Sequence, residues 1–324
     1  MRFYGTIGPA CADAATLTAL CRAGMTGVRL NLSHGPLAQR AEWLALLRQA
    51  GVGELLIDLQ GPELRIGALE QPLTLAAGQS LVLGAGGGDC PAALVPAARP
   101  GQLLLLDDGK LLVRVTDADG AALRCAVERG GVLQSRKSIA APGLAVHQPT
   151  LTEQDWQNLR QAAACGVTGV MLPFVRGVED IRTLKAALAA CGAPHIRVFA
   201  KIENMDGVQA LPGFVREVDE VVIARGDLGN AMPLWQLPGC QKKLAAVCRA
   251  AGTPFMVVTQ LLDSMHTRAV PTRAEVSDIY NAVWDGADSL MLTGETAAGQ
   301  YPVQAMEYLV KTAGCALADR EELR

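Results

Sequence analysis

The sequence predicts an α/β protein, a (β/α)8 TIM-type barrel with a small all-β lid domain inserted after its third strand. Three observations carry this expectation. Strand-like apolar runs alternate with amphipathic stretches eight times, the pattern of a parallel β/α fold. Most runs are apolar throughout rather than alternating, as burial on both faces requires. Setting the insertion aside leaves about 240 of the 324 residues, close to the roughly 250 typical of a closed barrel.

The strands are expected at 2–8, 26–32, 54–60, 168–174, 196–202, 220–226, 254–259 and 288–293. Helical patterns fall between them at 13–23, 36–50, 152–164, 178–191, 206–212, 236–250 and 273–284, with 302–317 after the last. From 63 to 146 the rhythm changes to short alternating strands with turn chemistry, as in "DDGKLLVRV" (107–115) and "DADGAALRCAV" (117–127), around a Gly-rich break at 84–90. The expected domains are therefore residues 1–62 with 147–324 as the barrel and 63–146 as the lid. A doubly wound open sheet is the alternative, but eight strand–helix units favour closure.

Composition narrows the function. Half of the residues are hydrophobic, the net charge is −3 and only 4% are aromatic. With no Lys/Arg run, neither nucleic-acid nor anionic-membrane binding is expected. The start "MRFYGTIGPA" lacks a signal-peptide pattern, and no apolar run reaches the length of a membrane span. The nine cysteines are scattered without C-x-x-C. They read as reduced, mostly buried thiols of a cytoplasmic protein. A zinc site is not expected, because the four histidines do not pair with cysteines at ligand spacing. His147, His195 and His266 read as surface residues, and His34 draws interest only by its location.

In a barrel, chemistry gathers at the C-terminal ends of the strands. Here the strands end in "TIGPA", "RLNLSHG", "IDLQGPELR", "KIEN", "ARGDLG", "VVTQ" and "LTGET", so seven of eight deliver polar or Gly-rich residues to one rim. Glu203 and Asp227, on adjacent strands, offer hard oxygens that suit Mg²⁺ or Mn²⁺. A salt bridge to Lys201 or Arg225 is the plainer use of either carboxylate alone. Lys201 precedes Glu203 by two residues and shares its strand face, where a lysine can neutralise a transferring phosphoryl group. Gly226 and Asp227 offer backbone N–H groups at the start of a helical turn, an anion cradle. Arg29, Asn31 and Ser33 alternate and share a face, and with Asp58 they form a cluster of one cation and three oxygen donors. Thr259 and Thr293 end strands, where threonine commonly caps a helix. No Walker A motif occurs.

Taken together, "TIGPA", "RLNLSHG", "DLQGPELRIG", "LDDGK", "SRKSIAAPG", "FAKIEN", "ARGDLG", "VVTQLLDSM" and the stretch 271–302 resemble the pyruvate kinase family over nearly the whole chain. The resemblance implies transfer of the phosphoryl group of phosphoenolpyruvate to ADP, giving pyruvate and ATP, with Mg²⁺ and K⁺. It implies that Glu203 and Asp227 hold the divalent metal, and that Gly226, Asp227 and Thr259 hold the substrate carboxylate. Arg29 and Lys201 would contact the phosphoryl group. Asn31, Ser33, Asp58 and the carbonyl of Leu59 match the K⁺ site, and Glu63 the position that goes with K⁺ dependence. Arg65, His34, Thr6, Pro9 and Lys137 match nucleotide-side positions. The enolate would be protonated through water near Thr259 and Thr293.

There are departures. Gln60, Leu59, Ala140 and Pro173 replace residues usual in the family, several of them on the nucleotide side. Family members continue into a C-terminal effector domain, so that domain and its allosteric control are expected to be absent here. A homo-oligomer, a dimer through barrel faces, is the expected assembly. The alternative function is a Mg²⁺-enolate enzyme of the same barrel type, with another phosphoryl acceptor or acting as a 2-oxo acid aldolase or decarboxylase.

Overall fold

The computed structural model describes residues 1–84, 90–144, 146 and 148–322. The chain folds as two compact units, residues 1–61, 150–225 and 238–324 in the first and 62–149 with 226–237 in the second.

In the first unit the chain begins β1 (Arg2–Thr6), α1 (Ala14–Arg22), β2 (Gly27–Asn31), α2 (Ala41–Gln49) and β3 (Glu54–Asp58). The second unit holds β4 (Leu73–Leu75), β5 (Ser80–Gly84), β6 (Leu103–Leu106), β7 (Leu111–Ala118), β8 (Ala122–Arg129), β9 (Gly131–Leu133) and β10 (Ile139–Ala140). The first then resumes with α3 (Glu153–Ala162), β11 (Gly169–Leu172), α4 (Val178–Ala190), β12 (Arg197–Ile202), α5 (Met205–Phe214) and β13 (Glu220–Ala224). After α6 (Arg225–Ala231) come α7 (Leu237–Ala251), β14 (Phe255–Val258), α8 (Arg273–Trp284), β15 (Ser289–Met291), α9 (Gly294–Ala297) and α10 (Pro302–Glu322).

All eight expected barrel strands form. They close in the order β1-β15-β14-β13-β12-β11-β3-β2, every pair parallel, with Arg2 opposite Ser289 sealing the ring. Their interior is filled by Tyr4, Leu56, Met171, Phe199, Val222, Met256 and Met291, all buried. A Cβ added at Gly169 would lie 2.5 Å from the Phe199 ring and 2.6 Å from Leu56. Only hydrogen leaves those large side chains room to meet inside the barrel. Helix starts are set by local chemistry: Thr152 with Asp155 and Thr272 with Glu275 form reciprocal capping boxes on α3 and α8. No helix among the described residues is long and apolar enough to cross a membrane.

The second unit is antiparallel, a five-stranded sheet β10-β6-β7-β8-β5 and a two-stranded β4–β9 pair, around a core that includes Leu83, Leu104, Leu106, Val113 and Leu123.

Three sequence expectations need correction. Each barrel strand except β12 ends at least one residue before its expected limit, so most of the polar rim lies on the loops just beyond. Ser33 is one of these residues: β2 stops at Asn31, whose side chain accepts the Ser33 N–H and starts a short 3-10 turn. The shared-face argument therefore holds for Arg29 and Asn31 only. The thiols are free but not mostly buried: Cys11, Cys125 and Cys248 are buried, five are half-buried and Cys315 is exposed. His195 is exposed as expected, but His266 is half-buried, its ring lying where a Gly294 side chain would stand. His147 lies outside the described residues.

Candidate active site

Four charged side chains meet at the C-terminal ends of β2, β3 and β12. Asp58, 2% exposed, ends β3 and is paired in the sheet with Asn31 of β2. Its Oδ2 accepts Nη2 of Arg29 at 2.6 Å and Nε at 3.0 Å. Lys201 Nζ stands 3.1 Å from both Asp58 oxygens and 2.9 Å from Oε1 of Glu203. The second Glu203 oxygen accepts the backbone N–H of Phe174 at 2.8 Å. Phe174 has φ +52°, a strained turn after β11 that aims this donor at the carboxylate.

Two cations and two carboxylates thus neutralise one another out of water. Burial opposes the charge on Asp58, but Lys201 and Arg29 outweigh it and hold its carboxyl below the usual range. Burial likewise opposes the Lys201 charge, and Asp58 with Glu203 outweighs it, so the ammonium persists beyond the ordinary lysine range. The result is a lysine held protonated at the rim, its three donors directed at Asp58 and Glu203.

The other sequence candidates fall as follows. Thr6 is buried beneath the cluster, its hydroxyl donating to the Leu292 carbonyl at 3.0 Å and accepting from Arg29 Nη1 at 3.3 Å. Leu59 is buried just past β3, where the loop is held by Asp155 of α3, which accepts the N–H groups of Gln60 and Gly61. Gly61 has φ +61°, and a Cβ there would meet Pro173 at 2.5 Å, so only glycine makes this turn. Gly226 and Asp227 lie in the first turn of α6, directly after β13. Arg225 binds Asp278 on α8. Thr259 follows β14, and Thr293 precedes α9 without a capping bond from its side chain. His34 and Pro9 are exposed. In the second unit, Arg65 pairs with Glu63 at 2.7 Å and Lys137 with Asp107 at 2.9 Å.

Sequence reasoning missed Glu295. It is 1% exposed, and accepts the N–H groups of Leu262 and Thr293 and the Thr293 hydroxyl. A carboxylate in the otherwise apolar run "LMLTGETAAG" is the signal that could have found it.

The available donors suit hard cations. Asp58 Oδ1 takes one donor against three on Oδ2, so it keeps acceptor capacity. Among the described residues no group of three or more His, Cys, Asp or Glu is placed to hold a metal. A Mg²⁺ ion commonly takes one or two carboxylates and completes its shell with water and substrate oxygens, which fits carboxylates supplied singly from strand ends.

The family model described as pyruvate kinase, barrel domain, matches residues 2–306. The pyruvate kinase of Agrobacterium vitis is 38% identical over 95% of this chain and 66% of that protein. That of Bacillus licheniformis is 37% identical over 93% of this chain and 54% of that protein. The chain therefore spans between about half and two thirds of the curated relatives it matches. A crystal structure of a pyruvate kinase from Cryptosporidium parvum superposes with TM-score 0.89 at 31% identity, over 97% of this chain and 68% of that one. The motifs, the closed barrel and these matches agree, and the chain belongs to the pyruvate kinase family.

Proposed function

We propose that this protein transfers the phosphoryl group of phosphoenolpyruvate to ADP. The observation that carries the reading is the buried Lys201 ammonium, held between Asp58 and Glu203 at the strand ends. The P–O bond to the enol oxygen breaks as the β-phosphate oxygen of ADP bonds to phosphorus. The enolate left behind takes a proton at its methylene carbon and becomes pyruvate. Lys201 and Arg29 oppose the charge on the phosphoryl oxygens during transfer. Gly226, Asp227 and Thr259 bind the substrate carboxylate, and water near Thr259 and Thr293 delivers the proton. Arg65, His34, Thr6, Pro9 and Lys137 serve the nucleotide.

Glu203 and Asp227 would hold Mg²⁺ or Mn²⁺, which neutralises charge on the substrate oxygens when bound. Asn31, Ser33, Asp58 and the Leu59 carbonyl would hold K⁺. The names of the relatives support the kinase over the aldolase or decarboxylase alternative. A homo-oligomer, a dimer through barrel faces, working in the cytoplasm completes the reading. Pyruvate release from phosphoenolpyruvate and ADP, followed with a coupled dehydrogenase with and without K⁺, is the test. Folded protein that is inactive with Mg²⁺ and K⁺ present overturns it.

A further inference from the structure

The loop after β14 starts in a conformation that its own residues do not favour. Thr259 has φ +77° and Gln260 +54°, two successive non-glycine residues in the left-handed region. A β-branched residue there is an outlier that its surroundings must impose. Arg225, the first residue after β13, supplies the constraint. Its Nη2 donates to the Thr259 carbonyl at 2.6 Å, and its Nε lies 3.2 Å from that oxygen and 3.3 Å from the Val258 carbonyl. Nη1 in turn donates to both oxygens of Asp278 on α8, at 2.8 and 2.6 Å. The Arg225 side chain is 11% exposed.

We propose that Arg225, anchored by Asp278, is the positioning residue that holds Thr259 in its left-handed conformation and so sets the direction of its hydroxyl at the rim. This rests on the role given to Thr259 above. A guanidinium fork that grips one carbonyl while a carboxylate grips the fork fixes the peptide plane after Thr259. A lysine, as a single point charge, cannot do both. With the plane free, the backbone relaxes towards ordinary dihedrals and the threonine side chain swings with it. Farther along, Leu262 and Ser264 donate their N–H groups to Glu295 and Glu275, so the loop stays anchored when Arg225 is changed.

The test is a double-mutant cycle of Arg225→Lys and Thr259→Ala in the intact chain, assayed with phosphoenolpyruvate, ADP and Mg²⁺. Arg225→Lys is expected to lower kcat by about 10- to 100-fold, the scale of a catalytic group displaced by about 1 Å, with a smaller change in KM. In the Thr259→Ala background the same change should cost under about twofold, because nothing remains to be positioned. Multiplicative losses, or an unchanged kcat in Arg225→Lys, overturn the proposal. If Arg225→Lys does not fold, Asp278→Asn replaces it in the cycle, with a smaller loss in the same direction expected. Lack of turnover in the unsubstituted protein, or full activity of Thr259→Ala, refutes the functional reading instead. The φ of Thr259 in a crystal structure of Arg225→Lys then decides: a return to negative φ supports the clamp, and an unchanged value overturns it.

Discussion

Replacing Asp58 by asparagine keeps the shape of the side chain but leaves Arg29 and Lys201 facing one another without their shared anion. Both cations lie within 3.1 Å of the same carboxylate oxygen, and each is 12% exposed. Two unit charges some 5 Å apart repel by about 3 kcal/mol at an effective dielectric constant of 20. Removing one partner of a buried pair commonly costs about 3–5 kcal/mol. We therefore expect a loss of about 4 kcal/mol, seen as a fall of roughly 10 °C in the barrel's melting transition for a domain of this size. Differential scanning calorimetry of the two proteins at neutral pH measures it. The effect also has a pH signature. Asp58 titrates below its ordinary value of 3.8 in the folded protein, so its contribution is complete above that pH and is lost as acidification passes through the lower folded value. The gap between wild type and Asp58→Asn should thus persist from neutral pH down to about 4 and begin to narrow below it. A gap under about 1 kcal/mol at neutral pH, or one that is the same at pH 3, refutes the view that Asp58 binds as an ionised bridge.

Three further outcomes are expected. Lys201→Met should cut kcat by about 10²-fold or more while Mn²⁺ binding, read by electron paramagnetic resonance, stays within a few-fold of wild type. Glu203→Gln should weaken that Mn²⁺ binding, and an unchanged affinity would remove Glu203 from the ligand set. At the opposite end of the barrel, Glu220 is fully buried, bonded to Ser289 and 2.5 Å from Arg2. Burial outweighs the arginine and pushes its carboxyl up to about 7. A raised folded value means stability present below the ordinary 4.5 and lost as pH rises through about 7. That loss amounts to as much as about 3 kcal/mol, and Glu220→Gln should flatten this slope in pH-dependent urea titrations.

The barrel could be read in the sequence because its information is local. Eight runs such as "VFAKI" and "EVVIA" are apolar enough to be buried on both faces, and caps such as Thr152 and Thr272 mark where the helices between them begin. Lys201 and Glu203 were likewise legible, since two-residue spacing at a strand end places them together whatever surrounds them. What spacing cannot carry is the partner across the ring. Asp58 lies 143 positions before Lys201, and only the β2–β3–β11–β12 order brings it between lysine and arginine. Arg225 illustrates the same limit: the direction of β13 and the turn of α6 send its guanidinium to Asp278, 53 positions on, and to the Thr259 carbonyl. The sequence by itself determined the strands, the helices and the kinds of side chain at the rim, because periodicity and capping act within a few residues. Tertiary structure alone decided which charges neutralise one another and which backbone is held under strain, because a buried charge is satisfied by whatever the closed ring places within about 3 Å of it.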